Sequence, residues 1–178
     1  MQLFHFSEGP GIEIFTPRPV LVPSRRAPGC EWLNGPLVWA IDDWHQPMYL
    51  FPRDCPRILI WPTQQTTAED YERYWSRCTG RMIAFVERQW MPGIRCEIIY
   101  RYELPVAPFI NLQDAGMWVS KTPVRPLEKV VISDMVAALE VQNVELRPVD
   151  SLVRLRDLWN TSLHTSGIRL RNATSWNG

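Results

Sequence analysis

Lysine is almost missing from the chain: only Lys121 and Lys129 stand against seventeen arginines in 178 residues. An excess of either charge is missing too. Nineteen basic and nineteen acidic residues give a formal net charge of zero, which argues against general nucleic-acid or membrane-surface binding. No stretch approaches the ~18 consecutive apolar residues of a spanning helix, so no membrane role is expected. The start, Met1-Gln2-Leu3-Phe4-His5, has neither the basic opening nor the long apolar run of an export signal. Cys30, Cys55, Cys78 and Cys96 lie 18 to 25 residues apart, too far for the close pairs of zinc sites and redox dithiols. Free thiols in a reducing cytoplasm, with no metal, are the expectation. There is also no GxSxG, no phosphate-loop sequence and no HExxH.

What is present is 46% hydrophobic residues, 16 prolines and 9 tryptophans. The length suits one domain spanning 1–178 with a real core, and the scattered prolines read as turns between short elements. Gln2–Phe6 and Glu13–Phe15 read as short strands around the turn Gly9-Pro10-Gly11, followed by a Pro- and Arg-rich loop from Thr16 to Gly35. Leu37–Ile41 and Arg57–Trp61 are apolar runs of buried-strand length. Asp42 and Asp43 can cap a short helix from Trp44, on which His45 and Tyr49 share a face. Thr67-Ala68-Glu69-Asp70 has capping-box spacing and leads a helix toward Cys78. Met82–Val86, Cys96–Leu104, Met117–Ser120, Lys129–Ile132 and Val144–Arg147 read as strands. Short helices follow Ser133 or Asp134 and Asp150 or Ser151, the latter reaching about Trp159. The polar segment 160–178 matches no element, and either frays or folds back onto the domain. Short strands dominate without regular strand–helix alternation. The expected fold class is therefore α+β, a mixed, mostly antiparallel split β-sheet with a few short helices packed to one side.

Polar chemistry gathers in four places. His5 leaves the opening strand into a Gly-Pro-Gly turn, either to meet a ligand or to bond backbone. Trp39 to Asp43 delivers Tyr49 on the following helix, as an aromatic wall or as core. Ser120 ends a strand beside Thr122-Pro123, where it either binds or closes the turn. His164, Arg169 and Arg171 crowd the C-terminal segment. Arginine forks suit anionic ligands, and Arg18, Arg25 and Arg26 of the long loop or Arg169 and Arg171 would meet phosphate. An ordinary surface explains the same arginines through ion pairs.

The series Leu3–Ser7, Leu37–Asp42, Pro47–Phe51, Tyr102–Pro105, Trp118–Val124 and Leu163–Asn172 resembles an uncharacterised bacterial protein family with no assigned activity. More distantly, the order of these blocks resembles the ADP-ribosyltransferase and RNA 2′-phosphotransferase type of split β-fold. That resemblance implies NAD or ADP-ribose as cofactor, with His5 and Tyr49 as the catalytic pair. His5 would bond the ribose beside the nicotinamide, and Tyr49 would stack on the nicotinamide ring. Trp39, Arg18, Ser120, His164, Arg169 and Arg171 complete the expected ligand-binding set. Met117 stands where the resemblance calls for an acidic residue, and a transferase without that carboxylate lacks the group that stabilises the developing oxocarbenium. Three readings follow. The first is a nucleotide-type cleft for a small anionic ligand, on a diverged or inactive transferase. The second is a non-catalytic protein-binding module using its Trp- and Arg-rich surface and C-terminal tail. The third is another small enzyme with His5 or His164 as general base.

Overall fold

Strand β1 (Leu3–Ser7) lies near the middle of a six-stranded sheet in the computed structural model, which describes residues 1–176. Its antiparallel neighbours are β2 (Val38–Asp42) and β5 (Ile99–Leu104). The order across the sheet is β6-β7-β2-β1-β5-β8, with β6 at Ile110–Asn111, β7 at Met117–Ser120 and β8 at Glu128–Ile132. Side chains alternate between faces along a strand. One face therefore gathers Leu3, Val38, Ala40, Tyr102 and Leu104, which Phe15, Phe109 and Val124 cover. The other carries Trp39 and Val119 against Leu33 and Leu37. This sheet belongs to a first compact unit, Met1–Gln46 with Ile99–Ile132.

A second unit comprises Pro47–Ile98 and the chain from Ser133 onward. Its four-stranded sheet runs β10-β3-β4-β9, from β3 (Arg57–Trp61), β4 (Met82–Glu87), β9 (Val144–Val149) and β10 (His164–Ile168). Only β4–β9 is parallel; β3 pairs antiparallel with both β4 and β10. Every residue of β3 and β4 is buried, as continuous apolar runs in central strands require. Each fully buried aliphatic side chain there contributes roughly 1.5–3 kcal/mol. The helices are short: α1 (Ala68–Asp70), α2 (Met91–Cys96) and α3 (Met135–Val141). Thr67 and Asp134 cap α1 and α3 through their side-chain oxygens, which accept the N–H groups of Asp70 and Ala137.

The expected α+β class with mostly antiparallel sheets and few short helices is what the chain adopts. Several local readings differ. Glu13–Phe15 makes a single bridge, Phe15 to Val124, instead of a strand. The helix expected from Trp44 is a 3-10 turn, Gln46–Tyr49, and the last helix is the 3-10 segment Leu152–Asn160. Residues to Cys96 complete α2, so β5 begins only at Ile99. The polar segment from residue 160 contains β10, because an edge strand draws its stability from backbone pairing and tolerates polar side chains. The last two residues of that expected tail lie outside the described residues. No helix among the described residues is long and apolar enough to cross a membrane.

Candidate functional site

The sequence-derived candidates divide between the two units. In the first, His5 sits on β1 opposite Tyr102, half-buried, with its ring 4.6 Å from that of Phe15. Its Nδ1 lies 2.8 Å from the Trp39 carbonyl oxygen. A carbonyl only accepts, so Nδ1 carries the proton and the tautomer is fixed. The Trp39 carbonyl and the Phe15 ring thus hold the imidazole in place. Ser120 lies in register with Val38, on the same face of the sheet as His5. It is fully buried, and its hydroxyl donates to the Thr122 carbonyl at 3.0 Å while accepting the Thr122 N–H at 3.1 Å. Its polar capacity closes a turn.

Trp39 alternates to the opposite face, among Leu33, Leu37 and Val119. Its indole nitrogen is sealed without a partner among the described residues, and the Arg26 guanidinium lies 5.7 Å from its ring centre. Arg18 is exposed and joins the sheet only through a backbone bridge to Leu37. The first unit therefore brings His5 and Ser120 to one face and places the Trp39 ring on the other.

At the end of β2, one oxygen of Asp42 accepts both the His45 backbone N–H at 2.8 Å and its ring Nδ1–H at 2.7 Å. Burial alone would raise the Asp42 carboxyl. The bonds from His45, its charge and the Trp44 N–H outweigh that and hold the group below the ordinary carboxylate value. Asp42 does not cap a helix as expected: it closes the turn at residues 43–45 ahead of Gln46–Tyr49, and the imidazole is an added partner.

In the second unit Tyr49 is half-buried, with the Arg57 guanidinium 5.7 Å from its ring centre and 5.2 Å from that of Phe51. Arg57 is only 2% exposed. Its Nε donates to the Met48 carbonyl and its Nη1 to that of Cys55, each at 2.8 Å. Burial pulls its pKa down to about 10, and the like charge of Arg169 acts in the same direction. Sequence reasoning missed this residue. The available signal was an arginine heading the unbroken apolar run Ile58-Leu59-Ile60-Trp61. His164 faces Trp61 across β10 and β3 and stacks on it, with ring centres 4.1 Å apart and 17° between planes. Arg169 donates from Nε to the Arg53 carbonyl at 3.3 Å, with an Asp54 carboxylate oxygen at 3.9 Å. Arg171 is exposed. No group of three or more His, Cys, Asp or Glu side chains among the described residues is placed to hold a metal ion.

A family model described as a family of unknown function matches residues 4–173, nearly the whole chain. No curated protein and no solved structure matches it.

Proposed function

We propose, for a chain that belongs to the DUF6886 family of unknown function, that its first unit binds a nucleotide-type ligand through a ribose hydroxyl at His5. The observation that carries this reading is the anchoring of the imidazole. With Nδ1–H committed to the Trp39 carbonyl and the ring seated on Phe15, the side chain loses little rotamer freedom on binding. A sugar hydroxyl bonds to this held imidazole. The distant resemblance to ADP-ribosyltransferase-type folds names ADP-ribose or NAD as the ligand class. Transfer chemistry is left out of the reading, because Met117 at the start of β7 supplies a thioether where that chemistry needs a carboxylate.

A protein-binding module draws support from the exposed indoles of Trp32, Trp44 and Trp159. Much of the C-terminal segment that this reading would use is spent inside the second unit. Its His164–Ile168 strand is paired, and Asn172 donates to the Asp54 carbonyl.

Titration with ADP-ribose, NAD and AMP at fixed ionic strength, followed by thermal unfolding, tests the ribose reading. ADP-ribose raises the midpoint, and His5→Ala weakens binding about tenfold, the value of one good hydrogen bond to a polar ligand. A flat response to all three at millimolar concentration rejects the reading. So does a folded His5→Ala protein that binds as the parent does.

A further inference from the structure

Arg57 poses an electrostatic problem within the second unit. A charged group almost entirely out of water is costly unless a counter-charge or a full set of acceptors compensates it. Two backbone carbonyls and the faces of Tyr49 and Phe51 meet part of this guanidinium. Among the described residues no carboxylate reaches ion-pair distance of it. Its neighbour Cys55 cannot serve, since burial pushes that thiol up to about 12 and keeps it neutral. Nη2 has no partner among the described residues. The sealed, unpartnered polar atoms there are the indole nitrogens of Trp39, Trp90 and Trp118. Arg57 Nη2 is not one of them, so this atom is not completely sealed although the residue is only 2% exposed.

A second cation lies beside it. Ile168 pairs with Arg57 across β10 and β3, and Arg169 follows with its backbone in the left-handed region, φ +56°. After burial, the like charge of Arg169 also favours a lower Arg57 pKa. Its own carboxylate contact, to an Asp54 side chain that is 65% exposed, is long at 3.9 Å. Two guanidinium groups at the end of one strand pair thus share less than one compensating charge. One carboxylate ligand would balance only one of them, whereas a phosphate group carries ≈ −1.5 to −2 and three acceptor oxygens. Arginine forks match that geometry through paired N–H donors.

We propose that Arg57 and Arg169 form an oxyanion site on the second unit that takes the phosphate group of a small phosphorylated ligand. Arg57 Nη2 donates from the buried side and the Arg169 guanidinium from the exposed side. The Met48 and Cys55 carbonyls hold the Arg57 fork in place, so it is ordered before the anion arrives. This site stands independently of the ribose reading of His5.

The test is a titration of the whole chain with inorganic phosphate, and separately with acetate, at constant ionic strength, followed by thermal unfolding and calorimetry. Phosphate gives a saturable rise in midpoint and acetate does not. Arg169→Gln weakens phosphate binding about tenfold and Arg57→Lys at least as much, whereas Arg154→Gln, on an exposed position of the same unit, binds as the parent does. If Arg57→Lys fails to fold, Arg169→Gln decides. The proposal is overturned by the absence of saturation, or by acetate binding as well as phosphate. Equal weakening in Arg154→Gln and Arg169→Gln would mean an adventitious ion only, and would overturn it too. The variants separate the two sites: phosphate binding lost in Arg169→Gln and kept in His5→Ala belongs to this site, whereas ADP-ribose binding lost in His5→Ala and kept in Arg169→Gln belongs to the ribose reading.

Discussion

The Glu87 carboxylate holds Thr174 through three hydrogen bonds: the Thr174 N–H reaches both oxygens, at 3.0 and 3.1 Å, and its hydroxyl donates to one of them at 3.0 Å. Glu87 is 1% exposed. It also accepts the Gln89 side-chain amide at 2.9 Å and the Leu152 N–H at 3.4 Å. The end of β4 is therefore the acceptor for a C-terminal segment in which Ala173 is the one buried residue past β10 among the described residues. Glu87→Ala leaves two backbone donors without their acceptor and costs about 3 kcal/mol of unfolding free energy; Thr174→Ala, which loses only the hydroxyl bond, costs about 1 kcal/mol. Urea unfolding measures both. A Glu87→Ala protein within about 0.5 kcal/mol of the parent would show that the segment is held by something else.

Asp42 supplies a pH dependence whose sign follows from its surroundings. Its folded-state pKa lies below the ordinary 3.8, since the His45 bonds outweigh burial. In acid the unfolded chain therefore binds this proton more readily than the folded one. The stabilisation is present above about pH 4 and is lost as pH falls through the folded value. Asp42→Ala lowers stability at neutral pH by about 1 kcal/mol through loss of the turn hydrogen bonds from His45, and the difference from the parent narrows below pH 3.8. Gly116→Ala attacks the same place from the other side. A Cβ there would stand 2.2 Å from His45 Nδ1 and 2.7 Å from Asp42 Oδ1, on a backbone at φ +72°. It costs at least about 1–3 kcal/mol for the backbone conformation alone. Urea titrations across pH 2.5–7 check both. A parent–Asp42→Ala difference that widens in acid would contradict the assignment.

The strands that sequence made legible are those whose physics is local. Arg57–Trp61 and Met82–Val86 announce themselves as unbroken apolar runs, and Thr67 and Asp134 as caps ahead of helical spacing. What was hidden depends on partners distant in the chain. His164–Ile168 is polar and acquires strand geometry only by pairing with β3. Helix α2 was not anticipated, and it runs to Cys96, where a strand was expected to begin; the proline in its first turn gives up no needed N–H. Of the candidate site, His5 was legible as a strand-borne imidazole, but its anchor, the Trp39 carbonyl, is backbone and leaves no side-chain signature. Alternation along β2 sends the Trp39 ring away from His5, a consequence of register. Arg57 escaped notice because a single arginine before an apolar run does not reveal whether a carboxylate will be waiting for it.

The four thiols differ enough in exposure to be counted one by one. Cys55 is fully buried, Cys30 and Cys78 are half-buried, and Cys96 is exposed. Burial is the main cause that pushes Cys55 up to about 12. The Glu97 and Glu87 charges add to it, and the Arg57 guanidinium opposes it. At pH 8 its thiolate fraction is on the order of 10⁻⁴, and thiolate is the reactive form. Cys96 therefore reacts with an aromatic disulfide reagent within the mixing phase. Cys55 stays unmodified until the second unit opens, so its labelling rate follows the denaturant dependence of unfolding. Mass spectrometry of time-quenched samples assigns each site. Labelling of Cys55 in native buffer at a rate close to that of Cys96 would mean that the enclosure formed by Met48, Cys55 and Arg57 is open in solution, and the ordered guanidinium fork would go with it.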